Sequence, residues 1–183
     1  MVGSLRQFAA VAALSLTAAA CASAPPRDFH SAYYPRAAHG ARIERPARPL
    51  QCVPYARRRS GIPIHGDAWT WWPQAEGRYE RSHAPETGAV MVVDGYAGPR
   101  RAHLAYVRKI VSARVIRVDH ANWLDRGNIH LDDPVKDVSP NNDWSEIRVF
   151  NLRTHAWGGH VYRVRGFIGP GPDEDRMRVA AGY

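Results

Sequence analysis

The hydrophobic pattern in the middle of the chain predicts two short helices. The first is expected over 53–60, because Pro54 is tolerated in a first helical turn and Gly61 is a suitable C-terminal cap. The second is expected directly after Asp67, a common N-cap residue, in a tryptophan-rich segment that Pro73 should end. Both helices come before the strand-like segments of the chain.

Five segments rich in Val, Ile, Tyr and Phe follow, and this composition is typical of strands. They cover residues 89–94, 103–110, 113–120, 146–151 and 162–168. Helices first and antiparallel strands afterwards is the order of an α+β protein, not the alternation of a parallel α/β sheet. We therefore expect short N-terminal helices packed on an antiparallel β-sheet.

Two histidines lie at the ends of apolar rows on two of these strands. Because alternate side chains share a face of a strand, His103 begins one apolar row, and His120 and Asn122 end a similar row on the next strand. Asp119 falls on the opposite face. If the two strands are neighbours, the imidazoles approach each other, and a helix packed on that face would present Cys52 to them.

Composition restricts the class of protein. The chain has 183 residues, of which 45% are hydrophobic. These values fit one globular domain with flexible ends, and they exclude a fibrous repeat, a wholly disordered chain and a polytopic membrane protein. The net charge is +8, and most of the excess is Arg, which binds carboxylates or phosphates through two hydrogen bonds. An acidic partner or surface is therefore expected.

The first 20 residues are typical of an export signal. Arg6 supplies the positive start, an apolar core too short to span a bilayer follows, and small residues precede Cys21. The segment 16–21 resembles a bacterial lipoprotein processing site, at which Cys21 becomes the lipidated first residue. Plain secretory cleavage after Ala24 is the alternative.

The exported chain divides into three parts by composition. Residues 21–49 are rich in Pro and Arg without an apolar period, which predicts a disordered tether. Residues 169–183 predict a flexible tail. The folded domain is expected over 50–168, a normal size for a single domain.

One thiol remains after either form of processing, which excludes a structural disulfide. A lone thiol in an oxidising compartment is either buried and inert or used. Cys52 lies at the expected start of the first helix, where the helix N-terminus and a nearby imidazolium favour the reactive thiolate. His103 would act as general base or ion-pair partner, with a third polar group fixing its tautomer. The backbone N–H groups of Cys52 and Val53 would form part of an oxyanion hole.

Four motifs in this order resemble the CHAP domain, a family of cysteine- and histidine-dependent amidohydrolases and peptidases of bacterial cell-wall turnover. The family opens with Gln-Cys and a nearby aromatic residue, which Gln-Cys-Val-Pro-Tyr at 51–55 matches, and continues with a Pro-x-x-Gly-hydrophobic step that resembles 85–90. Its catalytic His lies in a Gly-His-Val-Ala-hydrophobic-Val strand, similar to 102–107. A Glu-x-Asn element before an aromatic follows, similar to 120–123, where His replaces Glu. The resemblance covers about 50–168.

The resemblance implies a papain-like α+β fold with Cys52 as nucleophile and His103 as base. We expect His120 with Asn122 to orient the imidazole, with Asp119 as the alternative, and the identity of the third catalytic residue stays open. His120 fits by register, Asn122 matches the motif, and Asp119 has the acidic side chain that the family uses. The similar NlpC-type cell-wall peptidases use a second His in this role, whereas a bulge at the strand end would favour Asp119.

The remaining polar and aromatic residues receive simpler interpretations. Tyr55 and Trp123 are the expected walls of the substrate groove. Asp132, Asp133 and Asp137 are expected in a loop with Asx-turn chemistry and receive no function. No metal site is expected, since the remaining histidines form neither a His-Glu-x-x-His motif nor a pattern with a Cys pair. No cofactor is expected.

The expected function is hydrolysis of an amide bond in the peptide stems of peptidoglycan through a thioester acyl-enzyme. We expect an exported monomer, lipid-anchored at the cell envelope, at the outer membrane facing the periplasm, with no nucleic-acid partner. Two other classes stay open. A catalytically silent wall-binding module would keep its binding in Cys52→Ala, and a basic nucleic-acid binder would show a steep salt dependence of affinity.

Overall fold

The computed structural model describes residues 38–170, which form nine strands, two short α-helices and a 3₁₀ helix. The elements, in chain order, are β1 (Arg42–Glu44), α1 (Cys52–Ser60), the 3₁₀ helix (Ala68–Thr70), α2 (Trp71–Gln74), β2 (Arg81–Ser82), β3 (Val90–Asp94), β4 (His103–Ser112), β5 (Val115–Ala121), β6 (Ile129–Asp137), β7 (Glu146–Asn151), β8 (Ala156–Trp157) and β9 (Tyr162–Ile168). No helix within this range is long and apolar enough to cross a membrane.

The predicted export signal, Cys21, much of the predicted tether and almost all of the predicted tail lie outside the described residues. Ordered pairing begins inside the segment 21–49, since β1 runs antiparallel to β6 with Ile43 opposite His130. The five predicted strands correspond to β3, β4, β5, β7 and β9. The pattern did not predict β1, β2, β6 and β8.

Six antiparallel strands close into a barrel. In the order β3, β4, β5, β6, β7, β9, each strand pairs with the next, and β9 pairs back with β3. The expected papain-like α+β fold, with short helices packed on an antiparallel sheet, is therefore wrong. The domain is mostly β, a closed barrel with extra strands and two short α-helices.

The unpredicted strand β6 explains the wrong fold class, because its pairing with β7 closes the barrel. Asp and Pro disfavour strands, and the sequence around Asp132 and Pro134 therefore predicts a loop. In the structure β6 pairs with β1 through Leu131 and with β7 from Val135 onward. Pro134 lies between these two pairings. Among the described residues, β5 is the one strand that pairs with β6 at this position. The missing backbone N–H of Pro134 is therefore tolerated there.

Two hydrophobic cores lie on the two sides of the barrel wall. Alternate residues of β3 and β4 point inward, where Met91 and Ala105 join the barrel core, or outward, where Val92 and Leu104 pack beneath Ala56 of α1. The helix therefore packs on the outer face. This corrects the expectation that it packs on the face that carries His103, because that face is the closed interior of the barrel.

Local signals define α1 closely. Gln51 has extended backbone angles, and Gly61, with φ of 72°, ends the helix by donating its N–H to the carbonyl of Arg57 at 3.0 Å. The predicted first helix is confirmed, with Cys52 as its first residue. The second begins as the 3₁₀ helix after Asp67 and continues as α2, which extends one residue beyond Pro73.

Candidate active site

An open cavity of about 380 Å³ lies where α1 begins. Its walls come from the first turn of α1, the loop before β4 and the end of β5. Cys52 and His103 both line it, and so does Asn122. Cys52 is half-buried and His103 is 1% exposed. The start of a helix outside the barrel and the start of a strand in its wall therefore meet at one opening.

The Cys52 thiol is free and lies partly within the apolar core between α1 and the barrel. Burial raises its pKa, and the backbone N–H groups of Leu104, Val53 and Cys52 itself oppose this shift. The guanidinium of Arg101 also lowers the pKa, but burial has the larger effect. The net direction is opposite to that expected from the helix start alone. A protonated thiol is thus the resting form at neutral pH.

His103 is a buried, neutral imidazole. Burial holds its pKa well below the usual value, and the nearby His120 and His130 lower it further. Its Nε2 lies 2.9 Å from Nδ1 of His120, which leaves Nδ1 as the ring nitrogen available to the cavity. The rings of Trp123 and Tyr96 pack against it, with centroids at 4.8 and 5.2 Å. A neutral ring can accept a proton, but it does not form a resting ion pair.

His120 lies between His103 and a carboxylate of β6. Its Nδ1 faces His103, and its Nε2 lies 3.1 Å from Oδ2 of Asp133. Burial lowers the pKa of His120 more than the Asp133 carboxylate raises it. Among the three candidates for the third catalytic residue, His120 is the one whose side chain hydrogen bonds with His103.

Asn122 holds the segment in front of the cysteine. Its Nδ2 donates to Oε1 of Gln51 at 2.8 Å, and its Oδ1 accepts the backbone N–H of Gly127 at 2.9 Å. Its φ of 61° lies in the left-handed region, which Asn adopts more readily than most residues. The contact with Gln51 makes Asn122 a positioning residue for Cys52.

Asp119 lies on the outer face of β5 and connects the barrel to α1. Its carboxylate is fully buried and accepts hydrogen bonds from Arg59 at 2.8 Å and Arg108 at 3.1 Å. It also accepts the backbone N–H of Asp132 at 2.8 Å. The strand bulge that would have favoured Asp119 occurs in β6 instead, so β5 keeps its phase. Asp119 thus has a structural position away from His103.

The sequence interpretation missed three polar residues behind His120. Oδ2 of Asp133 lies 3.3 Å from Nδ1 of His130, whose Nε2 lies 2.9 Å from Oδ2 of Asp125. Asp133 is 0% exposed and His130 is 5% exposed. The expectation of a functionless loop is wrong for Asp133, which is a buried strand residue in contact with His120.

A bulge in β6 brings His130 and Asp133 to the same side. Val118 is opposite Asp133 and His120 is opposite His130, so β6 has one more residue than β5 between these pairs. The backbone accommodates the extra residue at Asp132, whose φ of 56° lies in the left-handed region. In a regular strand, residues three apart face opposite sides. The sequence signal for this geometry is the alternation Ile-His-Leu followed by two adjacent aspartates.

The two predicted groove residues do not line the cavity. Tyr55 is 4% exposed and lines a separate surface depression beside Arg59 and Asp119. Trp123 is 7% exposed and belongs to the barrel core, where its ring packs against His103 and His120. The walls around the thiol include Trp69, Tyr96, Arg100 and Arg101 instead. Trp69 lies in the 3₁₀ helix, whereas the other three lie in the loop between β3 and β4, which hydrophobic periodicity does not predict.

One group of described side chains has the spacing that could hold a metal ion. His120, His130 and Asp133 offer ligand atoms that all lie within 4.8 Å of one another. The same atoms already form hydrogen bonds with each other. Oδ1 of Asp133 is buried and has no hydrogen-bond partner.

Comparison with known proteins gives one result. No curated protein and no solved structure matches the chain. The family model of the CHAP domain matches residues 44–122, a range that contains Cys52, His103 and His120. The match ends before β6, so Asp133 and the strands that close the barrel lie beyond it. Residues 44–122 are therefore similar to the CHAP domain, which confirms the resemblance found in the motifs.

Proposed function

We propose that the protein hydrolyses an amide bond in the peptide part of peptidoglycan, with Cys52 as nucleophile and His103 as general base. The observation that carries the proposal is the open cavity that both residues line, within a segment that matches the CHAP domain. The match by itself supports a peptidoglycan amidase, a peptidase or a binding function. Hydrolysis by a thiol mechanism is more specific than the match and is part of our proposal.

Acylation begins from a neutral pair, because burial raises the pKa of Cys52 and lowers that of His103. Nδ1 of His103 takes the thiol proton as the sulfur attacks the carbonyl carbon, and a C–S bond forms. The resulting imidazolium donates that proton to the amide nitrogen as the C–N bond breaks. The amine leaves, and the acyl group remains on Cys52 as a thioester.

Deacylation reverses the roles of the same groups. His103, neutral again, takes a proton from water, and the hydroxide oxygen attacks the thioester carbon. The C–S bond breaks, the thiolate recovers the proton from the imidazolium, and the carboxylic acid product leaves and releases its remaining proton to solvent. The transient charge on His103 is stabilised by His120, whose Nδ1 lies 2.9 Å from Nε2.

The helix start supports stabilisation of the oxyanion. The first N–H groups of a helix have no carbonyl partner within it, and Cys52 is the first residue of α1. The N–H groups of Cys52 and Val53 lower the thiol pKa, which indicates that both act on the sulfur. The same donors would stabilise negative charge on the attacked carbonyl oxygen.

The cavity walls support an anionic peptide as substrate. Arg100 and Arg101 line the cavity and are exposed, and a guanidinium binds a carboxylate through two parallel hydrogen bonds. Trp69 adds an indole ring that is 49% exposed. Peptidoglycan stems carry free carboxylates, which these two arginines would bind.

A binding module without turnover is the second candidate. The observation in its favour is the raised pKa of the Cys52 thiol, because thiolate, not thiol, is the nucleophilic form. In that case the cavity would hold peptide stems, and the binding would survive replacement of the sulfur.

Incubation of the purified protein with isolated sacculi tests both candidates. Mass spectrometry identifies released fragments, and co-sedimentation measures binding by wild type, Cys52→Ala and His103→Ala. Asp119→Asn is the matched control, since it alters a buried polar residue away from the cavity. We expect new amide-derived termini with wild type and the control alone. Binding without fragments from any of the four proteins would favour the second candidate.

The envelope location is part of the proposal. The supporting observation is the amino-terminal pattern of a positive start, a short apolar core and small residues before Cys21. Labelling of cells with a fatty-acid analogue tests it. Wild type should be labelled and Cys21→Ala should not.

A further inference from the structure

A hydrogen-bonded chain continues from the catalytic histidine to Asp125 in the loop between β5 and β6. From His103 it passes through His120 to Asp133, then to His130 and to Asp125, with successive distances of 2.9, 3.1, 3.3 and 2.9 Å. We propose that Asp133 and His130 are positioning residues that set the tautomers of His120 and His103. The expected effect on turnover rests on the proposed function. The tautomers follow from the hydrogen bonds and do not depend on that function.

The tautomers follow from the carboxylate. An ionised carboxylate only accepts hydrogen bonds, so His120 must donate Nε2–H to Oδ2 of Asp133. A neutral imidazole has a single N–H, and Nδ1 of His120 is therefore an acceptor. Nε2 of His103, 2.9 Å away, must then be the donor. Nδ1 of His103 is left unprotonated, which is the form that a base facing Cys52 needs.

His130 lies between the carboxylates of Asp133 and Asp125. Both of its ring nitrogens face carboxylate oxygens, Nδ1 facing Asp133 and Nε2 facing Asp125. Both nitrogens therefore act as donors, which requires the imidazolium form. Burial lowers the pKa of His130, but the hydrogen bonds and charges of the two carboxylates outweigh it and raise the pKa. The cation offsets the desolvation of Asp133, which is 0% exposed.

The outer end of the chain is connected to the surface. Asp125 also accepts from Nδ2 of Asn128 at 3.2 Å and lies 3.3 Å from a guanidinium nitrogen of Arg153. These contacts hold the Asp125 carboxylate in place, so His130 has a fixed partner on each side. Behind the neutral histidine pair, the charges therefore alternate from the Asp133 carboxylate to the His130 imidazolium, and from the Asp125 carboxylate to the Arg153 guanidinium.

Replacement of Asp133 by Asn tests the proposal, because the amide has the same shape but can donate. If its Nδ2 faces His120, the proton of His120 moves to Nδ1, and His103 must carry its own proton on Nδ1, where it blocks the base. We expect kcat to fall roughly 100-fold with KM within about twofold, since a wrong tautomer in a Ser-His-Asp triad costs about 10⁴. Asp137→Asn is the matched control on the same strand. Asp137 is also buried, but its partners are Ser139 and Arg114.

Nitrogen-15 NMR of labelled histidines gives the second readout, which needs no substrate. In wild type, we expect Nε2 to be protonated and Nδ1 unprotonated in both His103 and His120, and both nitrogens to be protonated in His130. In Asp133→Asn the first two rings should exchange tautomers, whereas Asp137→Asn should leave them unchanged. The NMR result decides the tautomers even if the protein hydrolyses nothing and the proposed function fails.

Three outcomes would overturn the proposal. The first is a wild-type His103 protonated on Nδ1. The second is an Asp133→Asn protein with the wild-type tautomers and the wild-type kcat. The third is a wild-type spectrum in which a chelator changes the shifts of His120 and His130, which would assign the cluster to a metal ion. If Asp133→Asn does not fold, the wild-type spectrum and His130→Gln, with reduced kcat and unchanged KM, carry the test.

Discussion

Removal of the His120 side chain is the most direct test of the site, because three residues competed for its role. His120→Ala deletes the acceptor that lies 2.9 Å from Nε2 of His103. His103 is 1% exposed, so water does not readily replace the lost partner. The N–H of His103 then stays unpaired in the ground state, and the imidazolium formed during acylation loses its stabilising neighbour.

The magnitude follows from the burial of this contact. A buried donor that loses its partner costs about 1–3 kcal/mol, and the cost is at the upper end for a charged group. If about 2–3 kcal/mol of this appears only when His103 becomes cationic, turnover falls roughly 30- to 150-fold, at 1.36 kcal/mol for each factor of ten. We expect KM to change little, because His120 does not line the cavity.

The assay is the initial rate of fragment release from sacculi, measured with His120→Ala and Asn122→Ala at equal concentrations of folded protein. Thermal unfolding followed by circular dichroism establishes the folded fraction. Asn122→Ala removes the contact with Gln51 and places Ala at a φ of 61°. It should cost stability, about 1–2 kcal/mol, and less than about tenfold in kcat because His103 keeps its partner.

Two results would refute this reasoning. One is a His120→Ala enzyme that retains more than about a third of wild-type kcat. The other is an Asn122→Ala enzyme that loses more turnover than His120→Ala while it remains folded. Either result would mean that the buried hydrogen bond between the two histidines does not orient the base.

Three further predictions concern stability. Gly166→Ala, at a φ of 150°, would push a methyl group against the Trp72 ring and within 2.8 Å of a backbone carbonyl, so urea denaturation should show a loss of about 3 kcal/mol. Asp119→Ala should cost about 2 kcal/mol, because Arg59 loses a buried partner, with kcat nearly unchanged. Stability should fall as pH decreases below 6.5, because the unfolded state binds a proton that buried His103 does not.

Each stability prediction has a control. Gly77→Ala places a methyl group where nothing lies within 4 Å at another left-handed glycine, so it isolates the cost of the backbone angle from the clash at Gly166. A loss of kcat in folded Asp119→Ala would contradict its structural position. His103→Gln should reduce the slope of stability against pH below 6.5, and an unchanged slope would mean that His103 is not buried as a neutral ring.

The sequence predicted correctly those elements in which neighbouring residues favour the same local backbone conformation. The helix of Cys52 begins with a tolerated proline and ends at Gly61, and both signals act within one turn. The strands that contain His103 and His120 follow from β-branched residues in alternation. The pattern also placed both imidazoles on one face, which the 2.9 Å contact between them bears out.

The prediction failed where distant segments override local preference. The strand β6 contains Asp132 and Pro134, and it forms because β1, β5 and β7 supply its partners. The short alternation Ile-His-Leu at 129–131 is a local strand signal, but it does not specify the strands with which β6 pairs. The wrong fold class and the missed Asp133 have this single cause.

The amino-acid sequence alone therefore determined the CHAP-like order of motifs and the helix and strands that carry Cys52 and His103. The tertiary structure decided that the sheet closes into a barrel, that the helix packs outside it and that the thiol and the imidazole are both neutral at rest. It also decided that Asp133 lies behind His120. The physical reason is that turns, caps and alternation act over a few residues, whereas barrel closure, burial and the resulting pKa shifts depend on contacts between distant parts of the chain.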